Sequence, residues 1–235
     1  MEQYINNLNV IYEDNHIIVV EKIVNIPSQG DKTGDIDMLE IIKGYIKEKY
    51  NKPGNVYLGL VHRLDRPVGG VMVFAKTSKA AARLSEQVRN KTFKKTYLVI
   101  ANGKMENDHG TMEDYLLKNE KTNMSKVVEK NRKNAKLAIL DYEVLKYDSK
   151  LDLSVLKINL HTGRHHQIRV QLSSRNHSIY GDQKYGGRGH GKQICLWAYK
   201  LTIEHPISKE SMTFKVLPKQ IGSWKILEDL NIEEI

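Results

Sequence analysis

The densest group of side chains able to do chemistry is the sequence His-Arg-Leu-Asp-Arg-Pro at positions 62–67. It follows the apolar run Leu58–Val61, which is typical of a buried strand, and the proline together with Gly69 and Gly70 predicts a turn. A carboxylate at a strand end with arginines on both sides is held in its ionised form. Asp65 is therefore a candidate nucleophile or general base, although the commoner role of a loop aspartate is a surface salt bridge.

A second group is Thr-Gly-Arg-His-His-Gln-Ile-Arg at positions 162–169, whose pattern predicts a helix from Arg164 to about Ser174. A helix of this kind can point Arg169 inward at a carboxylate. It can at the same time leave Arg164 and Gln167 near a phosphate or a base. The pattern thus suits a site that combines an internal ion pair with an outward contact to a polyanion.

Two further patterns favour plain structural roles over a bound cofactor. His161, His165 and His166 invite a zinc interpretation, but no metalloprotease glutamate lies between the i, i+4 pair and no third ligand is evident. The glycine-rich segment at 181–191 lacks the Gly-Lys-Ser/Thr ending of a phosphate loop. Cys195 is a lone cysteine in an apolar run, which predicts a buried structural thiol. We therefore expect neither a metal nor a nucleotide cofactor.

Tyr97 alternates with apolar residues in the run Thr96–Ala101, which predicts a strand. Aromatic side chains at such positions usually belong to the core. A tyrosine beside Lys94 and Lys95 is also the arrangement by which proteins stack an extruded base next to its phosphates. The sequence leaves both roles open.

The elements that must position these side chains are mostly strands. The pattern predicts strands near 16–20, 57–61, 71–75, 96–101, 138–146, 151–160, 194–203 and 212–216, and helices near 38–50, 79–90, 164–174 and after Gly222. Residues 104–134 are polar with weak periodicity and indicate hairpins and loops. Many strands with few helices predict an α+β fold around a long, mostly antiparallel sheet. Because the strands are spread over both halves, we expect a single domain.

The basic charge of the chain is concentrated in its middle. The 235 residues carry a formal net charge of +9, yet residues 61–200 hold 27 basic and 13 acidic side chains. A basic region of this size suits a polyanion, although a solvated lysine-rich surface is the simpler interpretation. No apolar run is long enough for a membrane span, and the start lacks a signal-peptide pattern. Together with the single cysteine, this predicts a cytoplasmic protein.

The spaced motifs resemble those of the RluA family of pseudouridine synthases. The matching residues are Gly-Leu-Val-His-Arg-Leu-Asp at 59–65, Thr-Gly-Arg-x-His-Gln-Ile-Arg at 162–169, and Gly-Asp-x-x-Tyr-Gly at 181–186, with His-Pro at 205–206. They occur in the family's order and extend over most of the chain, from about residue 10 to 217. The resemblance implies the pseudouridine synthase fold, with a catalytic cleft, over residues 1–235 as one catalytic domain. Many family members carry a small amino-terminal RNA-binding domain, but we expect none here, because the matching sequence begins close to the start of the chain.

The resemblance also assigns residue roles. It makes Asp65 the catalytic aspartate, Arg169 its ion-pair partner and Tyr97 the aromatic residue that packs on the target uracil. Further residues that fall in matching motifs are candidates for RNA contact, namely His62, Arg63, Lys76, Arg164 and Gln167. The family needs no cofactor or metal, and a monomer is expected.

Three departures from the family pattern stand out. Val68-Gly69-Gly70 replaces Thr-Ser-Gly behind Asp65, Lys22-Ile23-Val24-Asn25 replaces Lys-Pro-x-Gly, and Gln171 replaces a frequent histidine. None removes the aspartate, the arginine or the tyrosine. The resemblance therefore implies an isomerase that converts uridine to pseudouridine in structured RNA, with ribosomal RNA favoured over transfer RNA. The alternatives are a catalytically idle RNA-binding protein or RNA chaperone on the same fold, and a hydrolase that would release free uracil.

Overall fold

The computed structural model describes residues 1–186 and 188–230, which divide into two compact units. The first unit comprises residues 1–94 and 198–217, and the second comprises residues 95–197 together with the chain from Pro218. Gly187, part of the glycine-rich segment singled out above, lies outside the described residues. The single catalytic domain therefore stays a prediction.

Strands make up most of the regular structure. In chain order they are β1 (Val10–Glu13), β2 (Ile17–Lys22), β3 (Gly59–Leu60), β4 (Gly69–Ala75), β5 (Lys94–Asn102), β6 (His109–Asn119), β7 (Met124–Val128), β8 (Lys136–Asp148), β9 (Leu153–Leu160), β10 (Leu196–Glu204) and β11 (Ser211–Lys215). The helices are α1 (Glu2–Asn6), α2 (Met38–Lys49), α3 (Ser78–Arg89) and α4 (Gln167–Ser173), with a 3₁₀ turn at Gly222–Leu227. This α+β architecture confirms the predicted fold class.

In the first unit β2 lies between β1 and β4, β3 also pairs with β4, and β10 lies between β4 and β11. In the second unit the order is β5-β9-β8-β6-β7. The pairs β1–β2, β2–β4, β10–β11 and those of the second unit are antiparallel. Long antiparallel ladders of this kind match the sheet expected from the strand-rich sequence.

The core of the first unit explains why the positions of its strands and helices could be predicted from the sequence. Residues Ile17–Val20 of β2 are fully buried, and so is most of β4, because both faces of these strands are covered. Helix α3 begins where Thr77 accepts a hydrogen bond from the backbone N of Ala80 at 3.2 Å. Its apolar face packs Ala80 and Leu84 into the same core. Within the described residues, no helix is long and apolar enough to cross a membrane.

The predicted helix boundary at Arg164 is wrong. Helix α4 begins at Gln167, because His166 has a left-handed backbone with φ of 53° and cannot continue a helix. Arg164 and His165 therefore lie in the loop before the helix. Residues 104–134, expected as hairpins and loops, contain the long β6–β7 hairpin.

Gly70 occupies a position that no other residue fits well. Its φ is +118°, and a Cβ there would lie 2.2 Å from the carbonyl oxygen of Ala198. The close approach of β4 and β10 thus requires the absence of a side chain.

We expect Gly70→Ala to destabilise the protein by more than about 3 kcal/mol, because it adds both a backbone strain and a clash with another backbone. Denaturant unfolding followed by circular dichroism measures this effect. Gly54→Ala is the control, because a Cβ at Gly54 meets no atom within 4 Å. A Gly70→Ala variant as stable as that control would contradict the close-packing argument.

Candidate functional site

Asp65 lies in a tight turn of the first unit, in the segment between β3 and β4. The backbone N of Val68 donates a hydrogen bond to the carbonyl oxygen of Asp65 at 2.9 Å, which closes the turn predicted at Pro67. Leu64 is buried while Asp65 is half-buried. The apolar neighbour anchors the turn, and the carboxylate stays at a partly accessible position.

The Lys22 side chain holds the backbone immediately after Asp65. Lys22 is fully buried at the end of β2, and its Nζ donates to the carbonyl oxygens of Ile23 at 3.1 Å, Arg66 at 2.9 Å and Val68 at 2.7 Å. Three carbonyl acceptors match the three donors of an ammonium group. Lys22 therefore fixes the second half of the turn. The sequence did not predict this role, because the segment from Lys22 to Asn25 matches the family pattern poorly.

Ser28 holds the backbone immediately before Asp65. Its buried hydroxyl donates to the carbonyl oxygen of Leu64 at 2.8 Å and accepts from the backbone N of the same residue at 3.2 Å. The turn is thus braced on both sides by polar side chains from the chain segment that begins at the end of β2. Nothing in the sequence pattern singled out Ser28.

His62 and Arg63 precede the turn and differ in exposure. The Nε2 of His62 accepts a hydrogen bond from the backbone N of Val73 at 3.1 Å, and its ring lies 5.0 Å from that of Phe93. The side chain of His62 is thus tied to β4. Arg63 is exposed, and a side chain that contacts RNA must be exposed. RNA contact by either residue stays a prediction.

Lys76 lies at the end of β4 and is largely buried. Its side chain is 9% exposed, and its Nζ is 2.6 Å from Oε1 of Glu13. The same ammonium lies 4.9 Å from the ring centre of Tyr50. Hydrogen bonds from Lys49, Lys76 and Tyr50 outweigh burial and lower the pKa of Glu13 to about 2. Lys76 is thus held by a local ion pair, and its predicted contact with RNA stays a prediction.

In the second unit, Arg169 forms a two-point ion pair with Asp182. The Nε of Arg169 lies 2.8 Å from Oδ2 and its Nη2 lies 2.7 Å from Oδ1, with the two residues 4% and 1% exposed. Asp182 Oδ1 also accepts the backbone N of Lys184 at 2.9 Å. A planar guanidinium held at two points has a fixed orientation. The sequence placed Asp182 in a family motif but gave no sign of this pairing.

Gln167 and Arg164 shape the loop before α4. The side-chain oxygen of Gln167 accepts from Thr162 Oγ1 at 2.7 Å and from the backbone N of Arg164 at 3.0 Å, and its side-chain N donates to the carbonyl of Ile139 at 3.1 Å. Gln167 is 3% exposed, so the structure gives it an internal role. Arg164 is exposed and its Nε donates to the carbonyl of Leu137 at 2.7 Å. Their contacts with RNA remain predictions.

The two histidines before α4 stack on each other. The rings of His165 and His166 are 3.8 Å apart, His166 Nδ1 lies 2.8 Å from the hydroxyl of Tyr185, and His165 Nδ1 lies 2.9 Å from Ser125 Oγ. The guanidinium of Arg169 lies 5.3 Å from the centre of the Tyr185 ring. This network packs the left-handed turn against the Arg169 ion pair. Across the described part of the chain, no three acidic, histidine or cysteine side chains are grouped as metal ligands would be.

Tyr97 lies on β5 opposite Ile158 of β9 and is 6% exposed. That burial suits a core position, and its role against a uracil base stays a prediction. Cys195 is buried as expected, and burial raises the pKa of its thiol to about 12.

The structure thus assembles the candidate residues in two sets. The first unit contains Asp65 in a turn braced by Lys22 and Ser28, with an exposed arginine beside it. The second unit contains the fixed guanidinium of Arg169, held by Asp182. The first unit thus offers a half-buried carboxylate as a candidate nucleophile or base, and the second offers a guanidinium with a fixed orientation.

Comparison with protein families adds an independent finding. The model for RNA pseudouridylate synthase matches residues 16–174, which include Asp65, Tyr97 and Arg169. An "Uncharacterized RNA pseudouridine synthase" of Aquifex aeolicus is 34% identical in an alignment 234 residues long, which covers 92% of this chain and 72% of that protein. The "Dual-specificity RNA pseudouridine synthase RluA" of Haemophilus influenzae is 31% identical, over 88% of this chain and 91% of that protein.

Other relatives are longer. The chain covers 62% of the length of the "Ribosomal large subunit pseudouridine synthase D" of Neisseria meningitidis, at 32% identity over 96% of this chain. Among solved structures, "Human RNA Pseudouridylate Synthase Domain Containing 4" superposes with a TM-score of 0.75 at 21% identity, and covers 90% of this chain and 89% of that one. These matches confirm both the resemblance and the fold that it implied.

We expect Asp182→Asn to destabilise the protein by about 3 kcal/mol or more, because it removes the buried carboxylate charge that holds the guanidinium of Arg169 at two points. Asp152→Asn is the matched control, because the Asp152–Arg188 pair has a similar distance of 2.8 Å but side chains that are 50% and 53% exposed. An exposed pair contributes less than about 1 kcal/mol. Equal losses in thermal unfolding of the two variants would show that burial does not decide the strength of the Arg169 pair.

The Lys22 ammonium predicts a pH-dependent contribution to stability. Burial lowers the pKa of Lys22 to about 7 from an ordinary value of 10.5, with Asp65 opposing that shift and Arg66 adding to it. Between these values the unfolded chain binds more protons than the folded one, so the stability contributed by Lys22 rises with pH. The free energy of unfolding of the wild type minus that of Lys22→Met should thus be more positive at pH 9.5 than at pH 7. A constant difference would contradict the shift.

Proposed function

Because the chain belongs to the RNA pseudouridylate synthase family, we propose that it converts uridine to pseudouridine in structured RNA with Asp65 as the catalytic carboxylate. Family membership places the chain among isomerases that act on uridine in RNA. The observation that carries the assignment of Asp65 is its turn, which two buried polar side chains brace while Asp65 itself is only half-buried. A surface salt bridge needs no such bracing, since exposed pairs form on flexible side chains.

The reaction rearranges one nucleotide. The bond between the ribose and a ring nitrogen of uracil breaks, the base turns, and a bond forms between the same ribose carbon and a ring carbon, whose proton moves to solvent as the freed nitrogen gains one. No atom is lost overall and no cofactor takes part in this balance. A carboxylate in the position of Asp65 supplies the negative charge that attacks or stabilises the reacting nucleotide. Because no water is consumed, the site must retain the freed base until it is rejoined.

We propose that Arg169 acts as the partner of Asp65, as the motif resemblance implies. The support from the second unit is that Asp182 fixes the guanidinium through Nε and Nη2, so its orientation is set before a substrate binds. Tyr97 is proposed to stack on the target uracil. Extrusion of a base from its stack costs a few kcal/mol, and stacking on an aromatic ring offsets this cost.

The RNA contacts are proposed to come mainly from the exposed cations. Arg63 and Arg164 are exposed and thus suited to phosphate groups. His62, Lys76 and Gln167 are tied to the protein by hydrogen bonds or an ion pair. We propose that His62 mainly supports the turn, Lys76 the end of β4 and Gln167 the loop before α4. Contact of these three residues with RNA is a secondary proposal.

Ribosomal RNA is the proposed substrate, with transfer RNA as the second choice. The relatives described above are named for the ribosomal large subunit and for dual specificity. The net basic charge between residues 61 and 200 suits either polyanion. We propose that the enzyme acts in the cytoplasm and as a monomer.

Asp65→Asn should abolish pseudouridine formation, because an amide carries no negative charge. The protein should stay folded, because asparagine has nearly the same shape as aspartate. The test is a carbodiimide and primer-extension map of ribosomal and transfer RNA from cells that carry the wild type or Asp65→Asn. We expect one or a few sites to disappear. Asp108→Asn, at an exposed carboxylate, is the control and should leave the map intact.

An unchanged map in the well-expressed Asp65→Asn strain would overturn the proposal and favour an idle RNA-binding protein or RNA chaperone. Free uracil released by the wild type in vitro would instead indicate a hydrolase.

A further inference from the structure

Lys95 is a largely buried lysine to which the mechanism above gives no task. It lies on β5 opposite Leu160, two residues before Tyr97, which lies opposite Ile158. Side chains two residues apart point to the same face of a strand, about 7 Å apart along it. The face of β5 that carries Tyr97 therefore also carries an ammonium group.

The Nζ of Lys95 is packed against the loop before α4. A Cβ built on Gly163 would lie 3.2 Å from that Nζ, so a side chain at position 163 would crowd the ammonium. The same loop is fixed by Gln167, which accepts the backbone N of Arg164 at 3.0 Å. The ammonium of Lys95 thus occupies a defined position beside a rigid backbone.

The charge of Lys95 lacks a counter-charge in the part of the chain that the structure describes. No hydrogen bond or ion pair is formed there by its ammonium, and burial lowers its pKa. The other buried cations differ, since Lys22 has three carbonyl acceptors and Arg169 has Asp182. A buried charge without a partner is costly and is retained where a ligand supplies the partner.

We propose that Lys95 is a phosphate-binding residue, which takes a backbone phosphate of the RNA next to the base that Tyr97 contacts. This inference rests on the proposed function for the identity of the anion. RNA supplies one phosphate for every nucleotide, and a ligand that places a base on Tyr97 brings a phosphate to the same face of β5. Gly163 leaves the space that this phosphate needs beside Lys95.

The first test measures binding of a fluorescein-labelled twelve-residue oligouridylate by anisotropy between 50 and 200 mM KCl. Loss of one phosphate contact to a single strand lowers the slope of log K against log salt by about 0.7. Lys95→Gln should show this loss and Lys95→Arg should retain the wild-type slope. Lys94→Gln is the control, since Lys94 is exposed and lies on the opposite face of the strand. Equal slopes for Lys95→Gln and Lys94→Gln would overturn the proposal.

The second test separates phosphate from base. Uridine 5′-monophosphate and uridine are titrated separately into the wild type and Lys95→Gln and followed by NMR of the nucleotide. Loss of a charged hydrogen bond in Lys95→Gln should weaken binding of the monophosphate about tenfold and leave the affinity for uridine unchanged. Equal weakening of both would assign Lys95 to the base or to the structure instead.

The third test uses the free protein. Because an unpaired buried charge is a cost, Lys95→Met should leave the melting temperature unchanged or raise it. A clear decrease would show a structural role and contradict the proposal. None of these measurements depends on turnover. If the pseudouridine map is unchanged in the Asp65→Asn strain and the salt slope is reduced in Lys95→Gln, the isomerase proposal fails while the phosphate-binding proposal stands.

Discussion

A charge buried inside a protein is costly unless it is matched at short range, and this constraint governs the surroundings of Lys22 and Arg169. In the first unit the matched charge is the ammonium of Lys22, which three carbonyl oxygens surround. In the second unit it is the guanidinium of Arg169, which Asp182 holds at two points. Each cation is matched by groups that also set the position of the backbone or side chain beside it. The electrostatic requirement and the positioning of the site are therefore met by the same contacts.

The bracing of the Asp65 turn does not depend on the hydroxyl groups that the sequence departures remove. The family pattern has hydroxyl residues where this chain has Val68 and Gly69, so these hydroxyls cannot stabilise the turn. Val68 instead contributes its carbonyl to Lys22 and its backbone N to Asp65. These contacts use main-chain atoms, which any residue at position 68 provides. The departure thus leaves the backbone interactions of the turn intact.

Local patterns in the sequence predicted the elements, and long-range contacts decided what it missed. Strands β2 and β4 and helices α2 and α3 carry continuous or periodic apolar residues, so their positions were readable. The start of α4 could not be predicted, because side-chain periodicity does not show that the backbone of His166 is left-handed. The bounds of β6 could not be predicted within the hairpins expected at 104–134, because its side chains are mostly polar and only Met112 and Leu116 are buried.

The same distinction applies to the candidate site. Asp65, Arg169 and Tyr97 stand in motifs with recognisable spacing. Lys22 and Ser28 act across 46 and 36 residues of chain, and Asp182 acts across 13. No local rule connects residues so far apart, and only the folded backbone shows which of the many polar side chains becomes buried.

The reach of Lys22 along the chain also sets when the Asp65 turn can form during synthesis. Lys22 pairs with Gly70 across the β2–β4 ladder, and both carbonyls that it holds in the turn lie within four residues of that pair. The ladder closes a long loop, so its formation is a slow, non-local event. A ribosome that has released the chain only as far as Val68 therefore presents an unbraced turn. The turn is braced only after β4 has emerged and docked on β2.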